Sequence, residues 1–355
     1  MKKHAGIGEK PINKILVVKL DHLGDCFLMN PIFKCLNERF PDAVIDVLCL
    51  ELTSPIFEKN PYIRKVISFN YFRNCRESGR KASLRETFTL SRTLRKEDYD
   101  VFIDARGEPF ISLLGFLIGA KYRLGFGKEE ILGFLYTHPL SCNPHEHEIA
   151  KYKIVLDALG VAVNMWEPKI YISENEKLNA QQLLKEFSGK GIIAFHIGAG
   201  LPYKMWPIEK FIDFILKLLE HYNYEVILLG GESNRQFSIK IIEKVKSKKV
   251  KDLSGRLSIR ESYYFLSKTD IFIGNDSVLA HFAGSLNIPT IELMNSAVEQ
   301  RRWQAIGQRV YVLSGFDKNH KCRLDKCHYP CQNMQAISVE DVFSVFSEIV
   351  NKNKG

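Results

Sequence analysis

The chain has 355 residues, more than one hydrophobic core usually spans, so two domains of about 150–180 residues are expected. Hydrophobic residues make up 45% and charged residues 26%, an ordinary globular balance that excludes long disorder outside the first ten or so residues and the Asn351–Gly355 tail. Fifty Lys and Arg against 41 Asp and Glu leave a net +9, which favours anionic partners; no Lys/Arg block is interleaved with aromatics, so nucleic acid is not expected among them.

Lys14-Ile15-Leu16-Val17-Val18-Lys19-Leu20 is a β-branched apolar run that predicts a strand, and the turn Asp21-His22-Leu23-Gly24-Asp25 follows it. Apolar residues at helical spacing then run from Phe27 to Phe40, and residues 43–50 predict the next strand. Strand, helix, strand is a parallel βαβ unit. Strands are expected again at 66–69 and 101–104, with a helix over 83–97 between them. The apolar run 110–120 is too short to span a bilayer. A helix from about Glu146 to Leu159 closes the first half. No secretory signal pattern opens the chain, so a cytoplasmic protein is expected, with any membrane contact peripheral.

The alternation restarts near residue 190. Strands are expected at 192–196, 225–229, 271–274 and 290–293, and helices at 207–221, 259–267, 277–285 and 338–350. The pattern predicts two successive doubly wound α/β domains, over 1–170 and 171–337, followed by a C-terminal segment, 338–355.

Candidate chemistry sits where strands end, because open α/β sheets bind ligands at the carboxyl ends of their strands. Gly24 permits a tight turn, and Asp25 falls at the start of the next helix. It reads either as a helix cap, worth about 1 kcal/mol, or as a general base facing a cleft. The loop from His196 through Gly198 to Lys204 and Trp206-Pro207 offers backbone N–H groups and a lysine to a diphosphate, without the spacing of a Walker loop. Asn275, Asp276 and Ser277 cap a helix whose first turn suits an anion, and His281 lies one turn along from Ser277. A well-capped structural helix accounts for the same residues. Glu232, just after Gly230-Gly231, suits ribose hydroxyls or simply solvent. Arg106, Lys121, Arg123 and Lys128 follow first-half strands and suit an acidic acceptor or a solvated basic surface.

These blocks resemble glycosyltransferase family 9, the bacterial lipopolysaccharide heptosyltransferase family. The resemblance rests on residues 15–20 with Leu23-Gly24-Asp25 and Asn30-Pro31. It continues through His196, Gly198-Ala199, Lys204 and Trp206-Pro207, then Leu228-Leu229-Gly230-Gly231 and Asp252-Leu253-Ser254-Gly255. Gly274-Asn275-Asp276-Ser277 with His281 completes it. The blocks occur in order from about residue 14 to 300. The resemblance implies a GT-B fold, two Rossmann-like domains facing a central cleft, with the C-terminal helix packing back on the first domain. It implies an inverting, metal-independent transfer, with no cofactor, of heptose from ADP-L-glycero-D-manno-heptose to an anionic lipid A-core acceptor. Within it, Asp25 would be the catalytic base. Gly198, Lys204, Glu232, Asn275, Asp276, Ser277 and His281 would hold the donor, and Arg106, Lys121 and Arg123 the acceptor. Another nucleotide sugar, a protein acceptor, a nucleotide-sugar epimerase or a non-catalytic glycan-binding relative remain as alternatives.

Two departures stand out. Asp21-His22 replaces small hydroxyl residues, and Asn295-Ser296-Ala297 stands where the family carries a Gly-Pro loop. Cys322, Cys327 and Cys331, near His320 and His328, have a spacing compatible with a tetrahedral metal. They lack paired C-x-x-C units, so free thiols are expected there instead.

Overall fold

The computed structural model describes residue 7 and residues 11–70, 84–127, 132–187, 191–319, 322 and 327–352. Lys128 and His320 lie outside these residues, as does most of the expected N-terminal tail. At the other end, Asn351 and Lys352 are helical.

The chain divides into two compact units, Met1–Tyr171 and Ile172–Gly355. The first contains β1 (Lys14–Lys19), α1 (Leu23–Met29), α2 (Pro31–Arg39), β2 (Val44–Cys49), α3 (Ser54–Phe57) and β3 (Lys65–Ser68). It continues with α4 (Leu84–Arg95), β4 (Val101–Asp104), α5 (Pro109–Ile118), β5 (Tyr122–Phe126), β6 (His138–Leu140) and α6 (Ile149–Ala158). Among the described residues its sheet is six-stranded, in the order β3-β2-β1-β4-β5-β6, and every pairing is parallel. Parallel strands covered on both faces bury nearly every side chain, which is why β1 reads as an unbroken apolar run.

The second unit holds α7 (Glu174–Leu184), β7 (Ile192–His196), α8 (Ile208–His221), β8 (Glu225–Leu229), α9 (Arg235–Val245), β9 (Val250–Asp252) and α10 (Ile259–Leu266). It goes on with β10 (Ile271–Asn275), α11 (Val278–Ser285), β11 (Thr290–Asn295), α12 (Gln300–Trp303), β12 (Val310–Gly315), α13 (Gln332–Gln335) and α14 (Val339–Lys352). Its sheet runs β12-β11-β10-β7-β8-β9, again parallel. Counted from β7, this is the order of the first sheet. Both are dinucleotide-fold sheets, and in each the connection reverses direction beside the first strand: between β1 and β4, and between β7 and β10.

Three local differences from the sequence reading have plain causes. The helix expected over 27–40 is two helices, because Pro31 opens the second. Asn30 between them donates to the carbonyls of Ile56 and Lys169 and accepts from Asn60 Nδ2. Helix α14 was expected on the first domain. Its apolar face instead enters the core of the second unit, with Phe346 ringed by Phe214, Tyr222, Tyr224 and Phe343 at 5.2–6.3 Å. The expected spans also omit α3, α5, α7, α9, α12, α13, β5, β6, β9 and β12; of these β6 and β9 have three residues each, and α3, α12 and α13 four.

Candidate active site

The turn after β1 does not use Asp25 as a cap. Helix α1 starts at Leu23, His22 precedes it, and Asp25 lies inside the first turn with its side chain buried. Around it gathers a set of charges that is unusually dense for an interior. Lys19, fully buried at the end of β1, reaches Asp21 Oδ2 at 3.0 Å, the Ala105 carbonyl at 3.3 Å and Glu148 Oε1 at 3.9 Å. It also lies over the Tyr152 ring, whose hydroxyl donates to the Asp25 carbonyl. Arg106, after β4, reaches Asp21 Oδ1 at 3.3 Å and Glu108 Oε1 at 2.7 Å, and donates to the Leu20 carbonyl. Lys151 completes the set at 3.0 Å from Glu148.

Before Asp25 is counted, three cations (Lys19, Arg106, Lys151) face three carboxylates (Asp21, Glu108, Glu148). A charge on Asp25 would be the unbalanced one. Burial, and then the neighbouring Asp21 carboxylate, raise its pKa to about 7, against the pull of Lys19. Asp21 is itself buried, but Lys19 and Arg106 outweigh that and hold it at about 2. Burial pulls Lys19 down, but Asp21, Tyr152, Asp25 and Glu148 overcome it, and its ammonium is held well above the ordinary lysine range. Among the described residues, Asp25 Oδ1 meets no hydrogen-bond donor although it is shut from solvent. A carboxylate poised near neutrality with one bare oxygen suits a general base.

The backbone after β4 is built to hold Arg106 in this group. Asp104, at the strand end, accepts from the N–H groups of Arg106 and Gly107 at 2.8 Å and from the Tyr136 hydroxyl at 2.5 Å. Gly107 has φ +87°, and a Cβ there would come within 2.8 Å of the Phe126 carbonyl oxygen, so glycine is required. Arg123, expected with Arg106 on an acceptor, spends its guanidinium on the carbonyls of Leu135 and Ala120 at 2.8 and 2.6 Å. It ties β5 to the loop before β6. Lys121 is exposed, with its ammonium 4.8 Å from the Tyr122 ring centre.

In the second unit the loops after β7 and β10 meet at the corresponding switch point. Lys204 Nζ pairs with Asp276 Oδ2 at 2.6 Å, which joins two loops 72 residues apart in sequence. Ser277 precedes α11 in extended backbone, its hydroxyl makes no capping bond, and among the described residues its Oγ has no partner. A buried bare hydroxyl beside a helix N-terminus, with a lysine at hand, is a cradle for an oxyanion. His281 is buried one turn along. Behind Asp276 lies Glu292, fully buried on β11. Burial and the Asp276 charge raise its pKa to about 8, which favours its protonated form beside the Lys204–Asp276 pair.

Two expected donor residues turn out to shape the loops. Asn275 is fully buried. Its Oδ1 accepts from the Trp206 N–H at 2.9 Å, and its Nδ2 donates to the carbonyls of Ile197 and Gly198 at 3.0 and 3.1 Å. Gly198 lets Asn234 pack close, since a Cβ there would fall 2.0 Å from Asn234 Nδ2. Glu232 stands exposed beyond β8, 3.3 Å from Arg235 and against Gly255. Lys19, Tyr152, Glu148 and Glu292 were not singled out in the sequence. A lysine ending an otherwise apolar buried strand was the available signal for the first, and a glutamate inside the apolar run 290–293 for the last.

Residues 87–333 match the sequence profile described as glycosyltransferase family 9 (heptosyltransferase). The chain is 24% identical over 283 residues to lipopolysaccharide heptosyltransferase 3 of Escherichia coli K12, covering 77% of this chain and 80% of that one. It is 23% identical over 292 residues to lipopolysaccharide heptosyltransferase 2 of the same strain, covering 79% and 82%. Among solved structures, ADP-heptose lps heptosyltransferase II of E. coli aligns with a TM-score of 0.77 at 20% identity over 96% of this chain and all of that one. A glycosyl transferase family 9 structure from Veillonella parvula aligns at 0.80 and 21% identity over 97% and 99%. The fold is therefore that of these two-domain transferases, and the profile takes in the Arg106 turn, the Lys204 loop and the Asp276–His281 turn. The chain belongs to glycosyltransferase family 9.

Proposed function

We propose that this protein moves heptose from ADP-L-glycero-D-manno-heptose to a hydroxyl of a lipopolysaccharide core acceptor, with inversion at the anomeric carbon. The observation that carries this assignment is Asp25: buried, balanced near neutrality, with a bare Oδ1 at the switch point of its sheet. The names of the relatives support the donor and acceptor class.

The acceptor hydroxyl loses its proton to Asp25 Oδ1 as its oxygen forms a bond to the anomeric carbon. The bond from that carbon to the diphosphate oxygen breaks on the opposite side, and the electron pair leaves with ADP. Lys204, the Ser277 hydroxyl and the first-turn N–H groups of α11 meet the charge that builds on the diphosphate. Asp276 holds Lys204 in place, with His281 beside it. Glu232 accepts from the ribose hydroxyls. Arg106, steadied by Asp21 and Glu108, faces the acidic acceptor.

The lipid-linked acceptor is met at the cytoplasmic membrane face. No described helix is long and apolar enough to cross a membrane. Phe116 and Phe134 of the first unit are 51% and 77% exposed, the Arg123 guanidinium lies 5.9 Å from the Phe116 ring centre, and these side chains suit a peripheral contact with anionic lipid.

The test is an incubation of the purified chain with ADP-, UDP-, GDP- and CMP-sugars and a heptose-deficient lipid A-core acceptor, followed by mass spectrometry of the lipid. One added heptosyl unit from ADP-heptose alone is expected. Transfer of a different sugar, addition only to a protein acceptor, or acceptor-independent conversion of the donor would overturn the assignment.

A further inference from the structure

Cys322, Cys327 and Cys331 lie between β12 and α13 in sequence, and their sulfur atoms converge. All three Sγ atoms lie within 4.8 Å of one another, and those of Cys322 and Cys331 are 3.8 Å apart. A disulfide needs about 2.0 Å, so the separation is not that of a bonded pair. Two thiolates on one tetrahedral ion, with metal–sulfur bonds of about 2.3 Å, stand about 3.8 Å apart by simple trigonometry. Cys331 is buried, and Cys322 and Cys327 are half-buried, so the group is both sheltered and open to entry from one side.

The surroundings are those of a ligand set. Asn295, at the end of β11, donates from Nδ2 to Cys331 Sγ at 3.2 Å and to Cys322 Sγ at 3.7 Å. N–H donors aimed at sulfur steady thiolates bound to a metal. Asn295 is itself fixed: its Oδ1 accepts from Asn333 Nδ2 at 3.1 Å and from the Ala297 N–H at 3.0 Å. The same Nδ2 donates to the carbonyl of Tyr203 at 2.8 Å, one residue before Lys204. The sulfur cluster and the lysine loop therefore share one anchor.

We propose that Cys322, Cys327 and Cys331 bind one thiophilic divalent ion, zinc in the first instance, with a fourth position left to an exchangeable ligand. Soft thiolates select zinc or iron over magnesium or calcium. The ion's role is positional. It pins the segment after β12 onto Asn295 and so holds the loop that presents Lys204. The proposal departs from the expectation of free thiols and no metal, and it stands whichever sugar is transferred, because its first readout is metal content.

The experiment uses the full chain, purified without an affinity metal, dialysed against metal-free buffer and measured by plasma mass spectrometry. About one equivalent of zinc per chain is expected, and a tenfold or greater loss in Cys327→Ser and in Cys322→Ser, while Cys142→Ser keeps the wild-type content. Circular dichroism of each variant separates loss of the ion from loss of the fold. Cobalt exchanged into the site should show sulfur-to-cobalt charge transfer and the visible bands of tetrahedral geometry. In the metal-stripped protein KM for the donor should rise more than kcat falls, and added zinc should restore it. A metal-free protein that gains no cobalt spectrum overturns the proposal. So does a two-proton mass deficit locating a disulfide among these cysteines, or an equal rate of alkylation of all three thiols with and without chelator.

Discussion

On the proposed mechanism, a single proton on Asp25 bears on both activity and stability. Asp25→Asn keeps the shape of the protonated side chain and removes its basicity, so transfer should fall about 10²–10⁴-fold with the fold intact, read by ADP release. Turnover within tenfold of wild type would assign the base elsewhere. The raised pKa also fixes the sign of the pH dependence. Transfer needs the ionised form, so kcat/KM should rise with pH and level above about 7. Asp21→Asn removes a carboxylate that raises Asp25 and frees Lys19 and Arg106 to lower it, so the inflection should move to lower pH. A limb that moves the other way or stays put would show that another group titrates. For folding the sign is opposite. A carboxyl whose folded pKa lies above its unfolded value costs stability as pH rises between the two, so Asp25→Asn should gain in melting temperature over wild type from pH 4 to 7 and hold that gain above.

At the scale of elements, helix ends and aromatic stripes explain most of the placements. The sequence carries a capping box at Ser173–Glu176 that marks the start of α7 and another at Ser258–Glu261 that marks α10; in both, serine and glutamate cap each other's backbone N–H. Ser-x-x-Glu before a helical run is a recognisable start signal at both places. Helix α14 shows the limit of reading one element alone. Its apolar stripe guarantees that it packs, but Phe214, Tyr222 and Tyr224 of the second unit decide where. Phe346→Ala, which empties the middle of that aromatic group, should cost about 3–5 kcal/mol in a denaturant titration. A loss below about 1 kcal/mol would mean that α14 is peripheral to the second unit's core.

Across the molecule, both sheets follow one strand order and each places its polar cluster beside its own switch point. The features proposed to bind the nucleotide all belong to the second unit. ADP should therefore slow hydrogen exchange in the loops after β7, β8 and β10 and raise that unit's unfolding free energy by about 2.7 kcal/mol at a hundredfold excess over Kd. Lys204→Ala should reduce the shift. Protection confined to the first unit would contradict the division of labour.

The two-domain α/β class, the strand-end motifs and the family were legible because they depend on local order: buried parallel strands are continuous apolar runs, and their ligand turns follow directly. Asp25, Lys204, Asp276 and Ser277 could be named on that basis. What the sequence left open was which polar atoms were already committed. Arg123 and Asn275 are occupied by backbone carbonyls 12 and 78 residues away, whereas among the described residues Asp25 Oδ1 and Ser277 Oγ are bare. Lys19, Glu148 and Glu292 entered the site for the same reason: buried charge is set by what the chain folds against it. Only the tertiary structure brings three cysteines within 4.8 Å or raises the pKa of an aspartate to about 7, because desolvation and distance act in space and not along the sequence.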